Sequence, residues 1–148
     1  MDISDAAMLM TLLHRGKRPS TLRTLLPGWD MLDANVPSHE QMETAMSILV
    51  GSGLAEVDST WGLRLPGEGE QIRRSIKGCQ GMRMIPGAIS KILAGRDLGR
   101  APLSLPQPVF DAAREDYYDA ARRRAERERA RRSRRRWWWP DPFRRPGQ

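Results

Sequence analysis

The sequence predicts a mainly α-helical protein that carries one small β-hairpin. Three observations indicate this fold class. Apolar residues recur at helical spacing in several stretches, a serine and a glutamine form a capping-box pattern, and two short strand-like segments flank a polar turn. With 148 residues, 39% of them hydrophobic, the chain has room for one modest core and some appended segments.

The central stretch of the sequence runs from Val36 to Leu65. Ser38 and Gln41 have the S-x-x-Q spacing of a capping box, which satisfies two backbone donors at the start of a helix. The helix that follows has an apolar face made of Met42, Ala45, Met46, Leu49 and Val50. Either Gly51 or Gly53 is expected to end it, because glycine adopts positive φ without strain.

Two short strands and a further helix are expected beyond this point. Residues 55–57 and 61–65 favour strands, and the Asp-Ser-Thr sequence between them has turn chemistry. Residues 70–76 then predict a short helix.

Two helices are expected before the central stretch. Residues 3–14 carry an apolar stripe, and Ser20 is placed to cap a second helix. We expect Pro27 and Gly28 to interrupt that second helix, since proline removes a helical hydrogen bond. An ordinary helical bundle fits residues 1–53 about as well, and the hairpin after Gly53 favours the helix-and-hairpin fold over it.

Several short motifs here are similar to a bacterial pattern. Pro37 and Ser38 precede the central helix, Gly53 and Leu54 follow it, and the Leu-Pro-Gly-Glu-Gly segment at 65–69 follows the second strand. In these features residues 3–77 resemble a bacterial winged helix-turn-helix domain. The resemblance implies a winged helix over residues 1–77, whose third helix would lie in the major groove of DNA.

The remainder of the chain is expected to form four segments. Residues 78–99 form an accessory helix that packs on the first domain or on a second copy, and residues 100–109 form a proline-containing linker. Residues 110–136 form an arginine-rich helix, either solvated or disordered when free, and residues 137–148 form a disordered tail. One stripe is expected to dock the first turns of that helix: Phe110, Ala113, Tyr117 and Ala121.

The net charge of +7 is concentrated in the last third of the chain. Residues 101–148 hold thirteen basic and seven acidic side chains, a balance of +6. We predict that this region binds the phosphates of DNA or RNA, with tryptophans stacking on bases. The predicted contact residues there are Arg122, Arg123, Arg124, Arg127, Arg129, Arg131, Arg132, Arg134, Arg135, Arg136, Trp137 and Trp138.

The winged helix adds weaker candidates for the same contact. They are His39, Thr44 and Ser47 on the third helix and Arg64 on the hairpin. Glu40 and Glu43 share the outward face of that helix, and their charge opposes a polyanion. The alternative is therefore a protein-interaction or dimerisation module whose acidic third helix does not contact DNA. For the basic tail, an inert solubilising role, an anionic membrane surface and an acidic protein partner also remain open.

Catalysis, metal binding and cofactor binding are not expected. One cysteine (Cys79) and two histidines (His14 and His39) are too few for a zinc cluster, and nothing brings them together as a nucleophile and base. A G-x-G motif at 67–69 lacks the third small residue of a dinucleotide site. No small-molecule ligand is evident. The acidic start and the lack of a long apolar run predict a cytoplasmic protein.

Overall fold

The structure, a computed structural model, describes residues 2–13, 18–76 and 81–138, and within these ranges the side chains from residue 3 to residue 134. The predictions that concern His14, Cys79 and the tail from residue 139 onward lie outside the described residues.

The described chain is mainly α-helical with a two-stranded antiparallel hairpin, which confirms the predicted fold class. A 3₁₀ turn at Met82–Met84 precedes the fifth helix. The elements in order are α1 (Asp2–Leu12), α2 (Leu22–Asp33), α3 (His39–Gly51), β1 (Glu56–Val57), β2 (Leu63–Arg64), α4 (Gly67–Ser75), α5 (Ile85–Ala94) and α6 (Gln107–Trp138).

The start of α3 has the predicted capping box. The Gln41 backbone N–H donates to Ser38 Oγ at 3.1 Å, and the Ser38 backbone N–H donates to Gln41 Oε1 at 2.9 Å. The predicted apolar face is buried except for Val50, which is half-buried, and Ile48 is buried beside it. The helix ends at Gly51, and Gly53 follows with a φ of 71°. The amphipathic pattern therefore placed this helix correctly.

The hairpin is shorter than predicted, with Glu56 opposite Arg64 and Val57 opposite Leu63. Its turn is held by Asp58, whose Oδ1 accepts hydrogen bonds from the Thr60 hydroxyl at 2.7 Å and from the backbone N–H groups of Thr60 and Gly62, both at 2.8 Å. These hydrogen bonds, that of the Thr60 side chain first, lower the pKa of Asp58. The predicted turn chemistry is therefore present.

The prediction that Pro27 interrupts α2 is wrong. The proline is exposed, while the side chains of Leu26 and Trp29 on either side of it are buried in the core. Their burial outweighs the one helical hydrogen bond that a proline removes. Glycine at position 28 lets α1 pack closely against α2, because a Cβ at this position would lie 2.6 Å from Leu12 Cδ2.

The predicted cap of α2 is also wrong. Thr21, not Ser20, is the N-cap, and its side chain accepts from the Thr24 backbone N–H at 3.3 Å. Ser20 instead pairs with Leu63 through two backbone hydrogen bonds, of 2.7 and 2.8 Å. The segment before α2 is thereby paired with strand β2 of the hairpin through one antiparallel bridge.

One hydrophobic core runs from Ala6 to Phe110. Helix α1 packs against α3 and α5, and α2 packs against α6. Among the residues expected to lie in an accessory helix, a linker and an arginine-rich helix, the chain buries Ile85, Ile89, Leu93, Leu105 and Phe110. These segments therefore complete the core of the residues before them.

Helix α6 is longer than predicted at both ends. It begins at Gln107, inside the expected linker, and continues to Trp138, so Trp137 and Trp138 belong to a helix and not to a tail. A proline restricts mainly the residue directly before it, so Pro140 in the sequence does not exclude Trp137 and Trp138 from a helix. None of the described helices is long and apolar enough to cross a membrane.

Candidate nucleic-acid interface

An extended segment, residues 99–106, crosses the face of α3 that was expected to point outward. Ser47 Oγ donates to the Ala101 carbonyl at 2.7 Å, and the Ala101 N–H donates to the Ser47 carbonyl at 2.9 Å. At the end of α3 the Gly99 N–H donates to Ser52 Oγ at 3.1 Å. We call residues 99–106 the strap.

The other end of the strap is held by His39 and Glu43. His39 Nε2 lies 2.6 Å from the Leu105 carbonyl oxygen, and the Leu105 N–H donates to Glu43 Oε2 at 2.8 Å. A carbonyl oxygen only accepts, so Nε2 is the donor. The His39 ring also meets the buried ring of Phe110 edge to face, with 5.8 Å between centroids. The carboxylate of Glu43, expected to face DNA, is thus a hydrogen-bond acceptor for the chain itself.

Glycine at position 51 is required by the strap. A Cβ there would lie 2.4 Å from the Ala101 backbone nitrogen and 2.6 Å from the Arg100 Cα. The sequence indicated Gly51 only as a possible helix end. A close approach by a segment about fifty residues later leaves no local signal in the sequence.

The remaining predicted residues of the winged helix do not form a basic surface. Thr44 is half-buried on α3. Arg64 is about half exposed, and its guanidinium lies 2.6 Å from Glu56 Oε2 across the hairpin. Its charge is therefore offset within the hairpin.

The first turns of α6 pack against α2. The docking of these turns that the apolar stripe predicted is therefore confirmed in part. Tyr117 Oη donates to Asp30 Oδ2 at 2.6 Å, and Arg23 Nε lies 3.0 Å from Asp116 Oδ2. The Arg23 guanidinium also stacks 5.3 Å from the centre of the Tyr117 ring. The hydrogen bond to Asp30, followed by burial and the charge of Asp30, raises the pKa of Tyr117. Ala121, the last member of the predicted stripe, is exposed.

Beyond these contacts α6 projects as an exposed helix, and we call its residues 122–138 the arm. Every side chain from residue 121 to residue 134 is exposed. This part holds eight arginines and two glutamates, a net charge of +6. The arginines are Arg122, Arg123, Arg124, Arg127, Arg129, Arg131, Arg132 and Arg134. The backbone of Arg135, Arg136, Trp137 and Trp138 continues the helix, and their side chains lie outside the described residues.

Acidic and basic residues are segregated along α6. Four acidic residues lie in its first half, at 111, 115, 116 and 119, and the arginines concentrate in its second half. Helix-dipole effects fall off within the first and last turns, and the first turn of α6 holds no acidic residue. Arg122 also forms an ion pair with Asp119, one turn before it. At a rise of about 1.5 Å per residue, the arm is about 25 Å long.

Comparison of the chain with protein-family models, with curated proteins and with solved structures finds no match. Among the described residues, no group of three or more histidine, cysteine or acidic side chains is placed to hold a metal ion.

Proposed function

We propose that this protein is a non-enzymatic nucleic-acid-binding protein of winged-helix type, acting in transcription regulation or a related process on DNA. The arm provides most of its contact with phosphates. The observation that carries the proposal is a solvent-exposed helical segment with eight arginines and a net charge of +6. Each arginine that approaches a phosphate releases condensed counterions, and this release favours binding without any contact to bases.

The order of elements supports the winged-helix part of the proposal. Three helices, a hairpin and a fourth helix follow one another in the first 75 residues. The bridge between Ser20 and Leu63 adds a third chain segment beside the two strands.

The strap is the reason for assigning the contact to the arm and not to α3. His39 and Ser47 already bind backbone groups of residues 101 and 105, and Glu43 is held in the same interaction. A groove-binding α3 would have to break these hydrogen bonds, each contributing about 0.5–1.5 kcal/mol, and then bring two carboxylates close to phosphates.

The second candidate, a protein-interaction or dimerisation module, loses its acidic docking face to the strap as well. What favours it is a different feature. Met82 and Met84, on the 3₁₀ turn before α5, are 37% and 57% exposed. Exposed methionines are common on surfaces that bind other proteins.

The proposal is tested by anisotropy titrations on a fluorescent DNA duplex at several salt concentrations. The variant R123Q/R127Q/R134Q removes three charges from the arm. Its matched control, R64Q/R74Q/R83Q, removes three from exposed positions on the folded body. We expect the arm variant to reduce the slope of log K against log salt by about 2–3, and the control to change it by less than about 1. Equal effects of the two variants, or no binding by the wild-type chain, would contradict the proposal.

A truncated chain gives an independent test if it is cut at the right place. A chain ending at Ala121 keeps the strap and the docked turns of α6, whereas one ending at residue 100 loses the buried Leu105 and Phe110. We expect the 1–121 chain to lose most of its affinity for DNA. The E40Q variant, which changes an exposed carboxylate on α3, is expected to bind DNA as the wild type does. Tighter binding by E40Q would place α3 at the DNA.

A further inference from the structure

The arginines of the arm surround the helix on all sides but one. At about 100° per residue, Arg122 and Arg129 share one side, and Arg123, Arg127 and Arg134 lie about 100–160° away from them around the axis. The strip between these two groups, on the short way round, contains no arginine. It holds Glu126, Ala130 and Ser133, and Glu115 and Asp119 continue it toward the docked turns.

The side opposite this strip carries charge as well. Arg124 and Arg131 lie roughly 130–160° from Glu126, between the two flanking groups on the long way round. We call the side of the arm that carries Arg124 and Arg131 the leading face. The two arginine groups beside it are the flanks, and the strip opposite it holds acidic and small residues. Such a helix matches an environment that has phosphates on at least two sides.

The arrangement of arginines around the arm helps to distinguish among the anionic ligands that attract a basic helix: a membrane surface, a nucleic-acid single strand and a duplex. A membrane-surface helix buries one apolar face in lipid, whereas residues 122–134 of the arm have only two alanines as apolar residues, and its two tryptophans follow at the end, at 137 and 138. A single strand offers one line of phosphates and is held by a basic groove together with aromatic stacking along its length, whereas the two tryptophans of the arm lie only at its end, at 137 and 138. The major groove of B-form DNA is about 12 Å wide and has phosphates along both edges, so it admits a helix of about 10–12 Å diameter. The major groove of an A-form RNA duplex is too narrow and deep.

We propose that the arm lies lengthwise in the major groove of B-form duplex DNA, with its two arginine flanks on opposite phosphate strands. Arg124 and Arg131 point toward the groove floor, and the strip of Glu126, Ala130 and Ser133 faces solvent. This inference rests on the proposed function and adds the form of the nucleic acid and the orientation of the helix.

The first experiment asks whether a helix is needed. The full chain is titrated against a DNA duplex, an RNA duplex and a DNA single strand of one sequence. The variant A125P/A130P breaks the exposed part of the helix and leaves its charge unchanged. Both positions lie beyond the residues that anchor α6 to the folded body. The matched control A125S/A130S changes the same two positions and leaves the helix intact.

We expect the wild type and the serine variant to bind the DNA duplex about tenfold more tightly than the RNA duplex. We expect the proline variant to lose this preference and to keep its affinity for the single strand. A factor of about ten in affinity is what we expect to be lost when the arginines of one flank no longer reach a phosphate strand. Equal affinity for all three nucleic acids, or a proline variant that retains the preference, would refute the groove assignment and leave the proposed function standing. Absence of binding to all three would refute both.

The second experiment tests the orientation. The variants E126Q and E128Q each remove one negative charge, two residues apart on the same helix. Glu126 lies in the solvent-facing strip, whereas Glu128 lies between the leading face and one flank. We expect E128Q to bind duplex DNA about threefold more tightly, the effect of one charge about 7 Å from a phosphate in water, and E126Q to bind as the wild type does. Equal changes, or a larger change in E126Q, would show that the assigned orientation is wrong.

Discussion

Replacing Phe110 with alanine is expected to destabilise the whole fold and not only the helix that carries it. The Phe110 side chain is fully buried, and its ring meets the His39 ring edge to face. The Arg114 guanidinium lies over the Phe110 ring, 5.6 Å from its centre. Truncation removes the apolar contacts of a large ring and leaves a cavity between α3 and α6. Substitutions of this kind cost about 3–5 kcal/mol.

The free energy of unfolding is measured by urea denaturation followed by circular dichroism. The free energy of unfolding of small domains is about 5–15 kcal/mol, so F110A is expected to remove about a fifth or more of it. The matched control is Y118A, an aromatic residue on the same helix that is 47% exposed. Its loss is expected to cost about 0.5 kcal/mol or less.

The comparison is decisive because the two variants differ in burial and hardly in chemistry. If F110A costs no more than Y118A, α6 is not anchored in the core and the arm is an independent appendage. If F110A instead produces a second, separate unfolding transition, α6 and the strap unfold apart from α1–α4. Either result would refute the reasoning that joins the arm rigidly to the folded body.

Two further predictions concern the strap and the anchor of α6. G51A is expected to lower the free energy of unfolding by about 1–3 kcal/mol through overpacking and to speed amide hydrogen exchange at Ala101. The control G87A, whose added Cβ has no atom within 4 Å, is expected to stabilise α5 by about 0.5–1 kcal/mol. Unchanged amide exchange in G51A would show that the strap does not pack against Gly51. Y117F removes the bond to Asp30 and is expected to cost about 1–3 kcal/mol at neutral pH. Because the folded pKa of Tyr117 is raised, its contribution is complete below the unfolded pKa of about 10 and is lost as pH rises through the folded pKa, so urea unfolding is expected to show a steeper alkaline loss in the wild type than in Y117F.

The parts of the fold that sequence reasoning predicted depend on neighbours within a few residues. The capping box of Ser38 and Gln41 and the turn at Asp58 are examples, because their hydrogen bonds join groups at most four residues apart. Pro27 shows the limit of such reasoning. The local rule for proline was outweighed by tertiary burial of Leu26 and Trp29, which no local pattern reports.

The strap was beyond the reach of the sequence for a related reason. It is bound through the backbone groups of Ala101 and Leu105, which every residue type except proline provides in the same form. Its partners lie 47 to 66 residues away in the chain. The polar residues of α3 were correctly expected to point outward from the helical core, and the sequence did not indicate that another segment covers them.

A continuous helix from the docked Phe110 to the arm has consequences for binding. The contacts of Arg23 and Asp30 with α6 fix the direction of the arm, so a nucleic acid held there meets the folded body in one orientation. An arm that is already helical also avoids the ordering cost of about 2–5 kcal/mol that accompanies folding on binding. Mutual repulsion among the arginines opposes the helix when the arm is free, and neighbouring phosphates remove that repulsion. DNA bound as proposed is therefore expected to stabilise the arm helix, while the strap covers α3.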